Sequence, residues 1–120
     1  MASFHIWLEV LSWTKALFEA TVLGADLRKA YEQHRQEKAT IGEAKRVSHT
    51  FSTYSEEEVE ALLNRLKQCR DRFIQEGSGP NRAKCLCSVF ADAMVGNGGK
   101  LPLIDDWGRF YKQLNCSKRG

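Results

Sequence analysis

The sequence predicts an all-α fold, a small helical bundle with a long N-terminal amphipathic helix. Three observations carry that reading. Apolar residues recur at three- and four-residue spacing through most of the chain, the period of a helix face rather than the alternation of a strand. The 120 residues contain only two prolines, so long spans are free of helix breakers. Glycines gather at Gly77–Gly79 and Gly96–Gly99, which reads as punctuation between helices; neither cluster is long enough to be a linker between domains. A chain of this length is expected to form one domain, residues 1–120, with enough buried surface for a core of its own.

The first helix begins at Phe4, with Ser3 placed to cap it. Steps of 100° bring Phe4, Trp7, Val10, Leu11, Leu17, Phe18 and Val22 into one broad arc, and Ile6 and Trp13 widen it beyond half the circumference. Ser12, Lys15, Glu19 and Asp26 fall opposite. No proline interrupts residues 4–38, so this helix can run to about 35 residues, with Gly24 as its only weak point. An unbroken helix of that span would be about 50 Å long, against roughly 35 Å for the diameter of a compact domain of this size. Either the helix breaks near Gly24 or residues 1–38 project beyond the domain. The second half is more polar, with a thin stripe of Leu27, Ala30 and Tyr31 that His34 can extend.

Thr40 and Glu43 fit a capping box for a short helix near 41–47. Ser48–Tyr54 is rich in hydroxyl residues and has no partner strand, so it is expected to be a connecting loop. A second capping box pairs Ser55 with Glu58, and Tyr54 and Val59 stand where a hydrophobic staple belongs. Glu56–Glu58 also suit the positive end of the helix dipole. Val59, Leu62, Leu63, Leu66, Cys69 and Phe73 continue the stripe to about Glu76, and Gly77 stops it.

Pro80 or Asn81 opens the next helix, in which Ala83, Leu86, Cys87, Phe90, Ala93 and Met94 share a face to about residue 95. Gly96-Asn97-Gly98-Gly99 ends it. A last helix starts at Asp105 or Asp106, whose carboxylate can accept the free amide protons of the first turn, and carries Trp107, Phe110, Tyr111 and Leu114. Residues 55–116 thus read as a three-helix core centred on Arg82–Trp107.

Composition narrows function chiefly by exclusion. With 42% apolar and 28% charged residues the chain is an ordinary globular protein. A net charge of +3, from 18 basic and 15 acidic residues, is too mild to call for a nucleic-acid partner. Arg65, Lys67, Arg70 and Arg72 lie across several helix faces among acids, the pattern of a solvated surface. No stretch approaches a membrane span, and the N-terminus lacks the basic region and cleavage site of a secretory signal. Four cysteines without such a signal are expected to be reduced thiols in a cytoplasmic setting. Cys85 and Cys87 stand about 200° apart on a helix and cannot hold one ion together. Cys69 and Cys116 add no paired spacing, so all four are expected to pack as small apolar residues, and no metal or cofactor is expected.

No catalytic constellation emerges. The glycines before Lys100 end a helix instead of opening one, and Leu101 follows the lysine, which argues against a phosphate loop. Asp105-Asp106 suits a cap. His5, His34 and His49 are isolated and are expected at the surface or in loops. Residues 4–23 carry more apolar surface than one small bundle needs. The expected function is therefore a non-enzymatic protein-interaction or regulatory module. Its contact residues would be Phe4, Trp7, Leu11, Trp13 and Phe18, meeting a second copy or a protein partner. No small-molecule substrate is evident. One alternative is a peripheral membrane-surface adaptor that uses the same helix. Another is a small enzyme, or an enzyme subunit, with a site near residues 97–109.

Overall fold

The computed structural model describes residues 4–76, 81–96 and 107–116. Among these residues the fold is all-α, with six helices and no strand. They are α1 (Phe4–Val22), α2 (Leu27–Gln36), α3 (Lys38–Thr50), α4 (Glu56–Glu76), α5 (Asn81–Gly96) and α6 (Trp107–Gln113).

The long first helix breaks where its weak point lies. Gly24 adopts φ +69°, a left-handed conformation that costs glycine little. Asp26 then caps α2, its carboxylate accepting the Lys29 backbone N–H at 3.0 Å. The break lets the chain fold back, and the molecule measures 36 × 31 × 23 Å, so no 50 Å rod projects from it.

A second break lies at Glu37, where neither proline nor glycine marks one. Glu37 alone separates α2 from α3, in an extended conformation with φ −69° and ψ 131°. Its N–H still donates to the Gln33 carbonyl at 3.1 Å, and its carbonyl accepts from Ile41 N–H at 3.1 Å, so neither helix end loses much bonding. The expected capping box at Thr40 and Glu43 does not form. Both residues lie inside α3, where the Thr40 hydroxyl donates to Glu37 and Glu43 is taken by Lys15. Nor is Ser48–Tyr54 wholly a loop, because α3 runs on to Thr50 and leaves a short turn at 51–54. The capping box at Ser55 is present: its hydroxyl accepts the Glu58 N–H at 3.1 Å while Glu58 accepts the Ser55 N–H at 3.4 Å.

The core is not confined to residues 55–116. Every residue from Val10 to Phe18 is buried, and α1 touches α2, α3, α4 and α5. A helix covered on all sides is a central one, and its excess of apolar surface is what a central position requires. Aromatic contacts close its ends. Trp7 meets Phe51 and Tyr54 of the 51–54 turn at centroid distances of 6.0 and 6.2 Å. Phe18 stacks on Phe110 of α6 at 4.1 Å, and Trp107 of α6 leans on Phe90 of α5 at 5.2 Å. Each such ring contributes on the order of 2 kcal/mol when fully buried.

All four cysteines are paired, contrary to the expectation of reduced thiols. Cys69 joins Cys85 and Cys87 joins Cys116, with Cα separations of 5.6 and 5.3 Å that suit a disulfide. The expectation rested on cysteine count and a missing signal segment, which say nothing about which residues the fold brings together. The premise for a cytoplasmic setting falls with it.

Candidate functional site

The five residues expected to meet a partner are mostly out of reach. Trp7 and Leu11 are fully buried, and Trp13 and Phe18 are only 8% and 7% exposed. Trp13 stacks on the Tyr31 ring at 3.9 Å and has the Arg70 guanidinium 5.0 Å from its centroid. Phe4, at the start of α1, is half-buried beneath the Lys45 ammonium. The chain's own later helices therefore supply the cover that a partner was expected to give. The same finding removes the apolar face that a membrane-surface reading of α1 needs. No helix among the described residues is long and apolar enough to cross a membrane.

The expectation of a site near 97–109 falls largely on residues outside the described ones, including Asn97–Lys100 and Asp105-Asp106. Of its other members, Trp107 is fully buried and Arg109 is exposed. His5 and His49 are exposed as expected. His34 is not: it is buried between two carboxylates, Glu19 at 2.8 Å from Nε2 and Glu37 at 3.3 Å from Nδ1. With Lys15–Glu43 at 3.0 Å and Glu9 held by both Tyr31 and Arg35, it forms a polar seam along α1, α2 and α3. Burial and the neighbouring Glu9 carboxylate push the Tyr31 phenol up to about 12. This seam is a fastening, since its groups are spent on one another.

Open concave surface lies instead where α4 meets α5. Two clefts sit side by side there and share Arg65, which pairs with Asp92 and donates to the Ser88 hydroxyl at 2.9 Å. The first, about 210 Å³, is walled by Tyr54, Ala61, Leu62 and Ala93, with Glu58, Arg65 and Asp92 at its rim. Tyr54 is half-buried, its phenol pushed up by burial and then by the Glu58 charge, so it stays neutral and presents an apolar ring with one hydroxyl. The second cleft, about 230 Å³, is more polar. Arg65, Gln68, Arg72, Lys84 and Ser88 line it together with the Cys69–Cys85 disulfide.

Sequence periodicity put Leu62 and Ala93 on core-facing stripes, and the structure leaves both half-buried at the seam between two helices. A stripe wider than its partner leaves such an edge, but the width of the partner is not visible in the sequence. Nor could Arg65 and Asp92 be paired from spacing, being 27 positions apart on different helices. Neither family models, nor curated protein sequences, nor solved structures yield a match for this chain.

Proposed function

We propose that this protein is a non-enzymatic interaction module whose recognition surface is the α4–α5 face, not its first helix. The reading is supported above all by the apolar cleft of Tyr54, Ala61, Leu62 and Ala93, which lies beside a cationic one holding Arg72 and Lys84. A protein segment that places one apolar side chain next to carboxylates complements both halves. The apolar group would be desolvated in the first cleft, and the acids would meet the cations of the second. Arg65, tied to Asp92 and Ser88, holds the ridge between them.

Two disulfides in 120 residues suit a chain that works in an oxidising compartment. Such bracing fits a module that must hold the shape of the α4–α5 face.

Selection of binding peptides against the full chain tests the proposal. Recovered sequences should share an apolar anchor flanked by Asp or Glu, and Leu62→Asp should weaken them by about 10-fold or more, the effect of losing one buried anchor. Light scattering identifies a second copy as the occupant if the chain is a dimer that Leu62→Asp dissociates. The proposal is overturned if selected peptides ignore Leu62→Asp and bind elsewhere on the folded chain.

A further inference from the structure

The two disulfides have different surroundings. Cys87 and Cys116 are both buried, and neither lines either of the two clefts between α4 and α5. Cys69 is buried as well, but its partner Cys85 is partly open and both line the polar cleft between α4 and α5. That cleft carries three cations. Arg65 is neutralised by Asp92, whereas Arg72 and Lys84 are exposed and have no carboxylate partner among the described residues. With about 230 Å³ of space it admits several groups the size of a water molecule, roughly 30 Å³ each.

We propose that Cys69–Cys85 is a modification site, opened by a small anionic thiol of the glutathione class that becomes disulfide-bonded to Cys85. The inference stands apart from the binding role above and does not need the neighbouring apolar cleft to have a partner. Exchange requires an approach path for a thiolate and relief of the negative charge that develops on the attacking and departing sulfurs. The cleft offers the path, Cys85 the more open of the two cysteines that line it, and Arg72 and Lys84 the positive field. The thiolate of the incoming molecule attacks Cys85 Sγ, the Cys85–Cys69 bond breaks, and the electron pair leaves on Cys69 Sγ. That sulfur stays as a thiolate beside the cleft's cations or takes a proton from water. One disulfide is exchanged for another, with no net oxidation or reduction. A second thiol molecule could then release Cys85 as a free thiol, leaving with the first as its own disulfide.

The charge of the thiol is the discriminating variable. Two unit charges about 7 Å from an anion in water favour it by about 5- to 10-fold. Oxidised full-length protein is exposed to reduced glutathione, neutral 2-mercaptoethanol and cationic cysteamine at equal thiolate concentration. Samples are quenched in acid and mapped by mass spectrometry. The expected result is a first adduct on Cys85, formed about 5- to 10-fold faster with glutathione than with the neutral thiol, and slowest with cysteamine. High salt should shrink that ratio, since both cations are exposed. The double variant Arg72→Gln, Lys84→Gln should abolish it. The ratio is taken between thiols within one protein, so any change in stability of the variant cancels. Equal rates for the three thiols, a first adduct on Cys87 or Cys116, or an undiminished ratio in the double variant would each overturn the proposal.

Discussion

The half of the molecule built from α1, α2 and α3 and the half built from α4, α5 and α6 are fastened by different chemistry. In the first, side chains bond across helix faces: Lys15 to Glu43, His34 to Glu19 and Glu37, Tyr31 and Arg35 to Glu9. In the second, two disulfides bind α5 to α4 and to Cys116, three residues past the end of α6. The difference follows from what each half can bury. Helices α2 and α3 lie against α1, which is buried from Val10 to Phe18, so directional bonds need only fix orientation. Helix α6 has seven residues and buries little beyond Trp107 and Phe110, with Leu114 just after it. A helix that short is marginal on its own, and a covalent tie supplies the order that packing does not.

The comparison can be attacked at several points. The largest effect is expected from Trp7→Ala, about 4 kcal/mol in denaturant unfolding, because the ring is fully buried where α1 meets the 51–54 turn. A loss under 2 kcal/mol would show that the core is not organised around α1. Next come the cystines. Replacing Cys87 and Cys116 together by Ser should cost about 4 kcal/mol, and replacing Cys69 and Cys85 about 3 kcal/mol, as the closed segments span separations of 29 and 16 residues. If both pairs of variants melt like the parent, the second half does not depend on its covalent ties.

Lys15→Ala is expected to cost about 3 kcal/mol, because it strands a mostly buried Glu43 whose Oε2 already lacks a hydrogen bond among the described residues. Lys15→Met combined with Glu43→Leu should recover most of that loss, and a double variant as weak as the single one would show that the pair does more than neutralise itself. Asp26→Ala should cost about 1 kcal/mol through loss of the α2 cap. An alkaline effect closes the series, with Tyr31 of the first half its larger source and Tyr54 a second one. The Tyr31 phenol keeps its proton to about pH 12 in the folded chain and loses it near 10 when unfolded. The folded state therefore binds more protons in that window, so its stability should fall as pH rises from 10 towards 12. Unfolding titrations of Tyr31→Phe should show a shallower slope, the remainder coming from Tyr54, whose phenol burial also pushes up.

Much of this architecture was legible in the residues. The stripes of α4 and α5, the Ser55–Glu58 box and the weakness at Gly24 are local features with local causes, and all three appear. What could not be read depends on through-space neighbours. Glu37 breaks a helix with neither proline nor glycine, in a setting where its side chain meets His34, Gln33 and Thr40. Lys15 was placed on the solvent side, yet its partner Glu43 lies 28 residues away on α3. The wide apolar arc of α1 has two meanings, a central helix or an adhesive one, and periodicity is the same for both. The clefts of the α4–α5 face were invisible for the same reason: they are made of edges left over after packing.

Cys85 and Cys87 flank a single leucine, and the roughly 200° between them that forbids a shared ion sends one sulfur to α4 and the other towards the C-terminal end. Three consecutive positions of α5 thus hold the chain together independently of its peptide linkage. If a protease severed the backbone once between 77 and 80 and once between 97 and 106, the three resulting pieces would still migrate as one species until a reductant was added. The protein's covalent integrity is set by this short node as much as by the order of its residues.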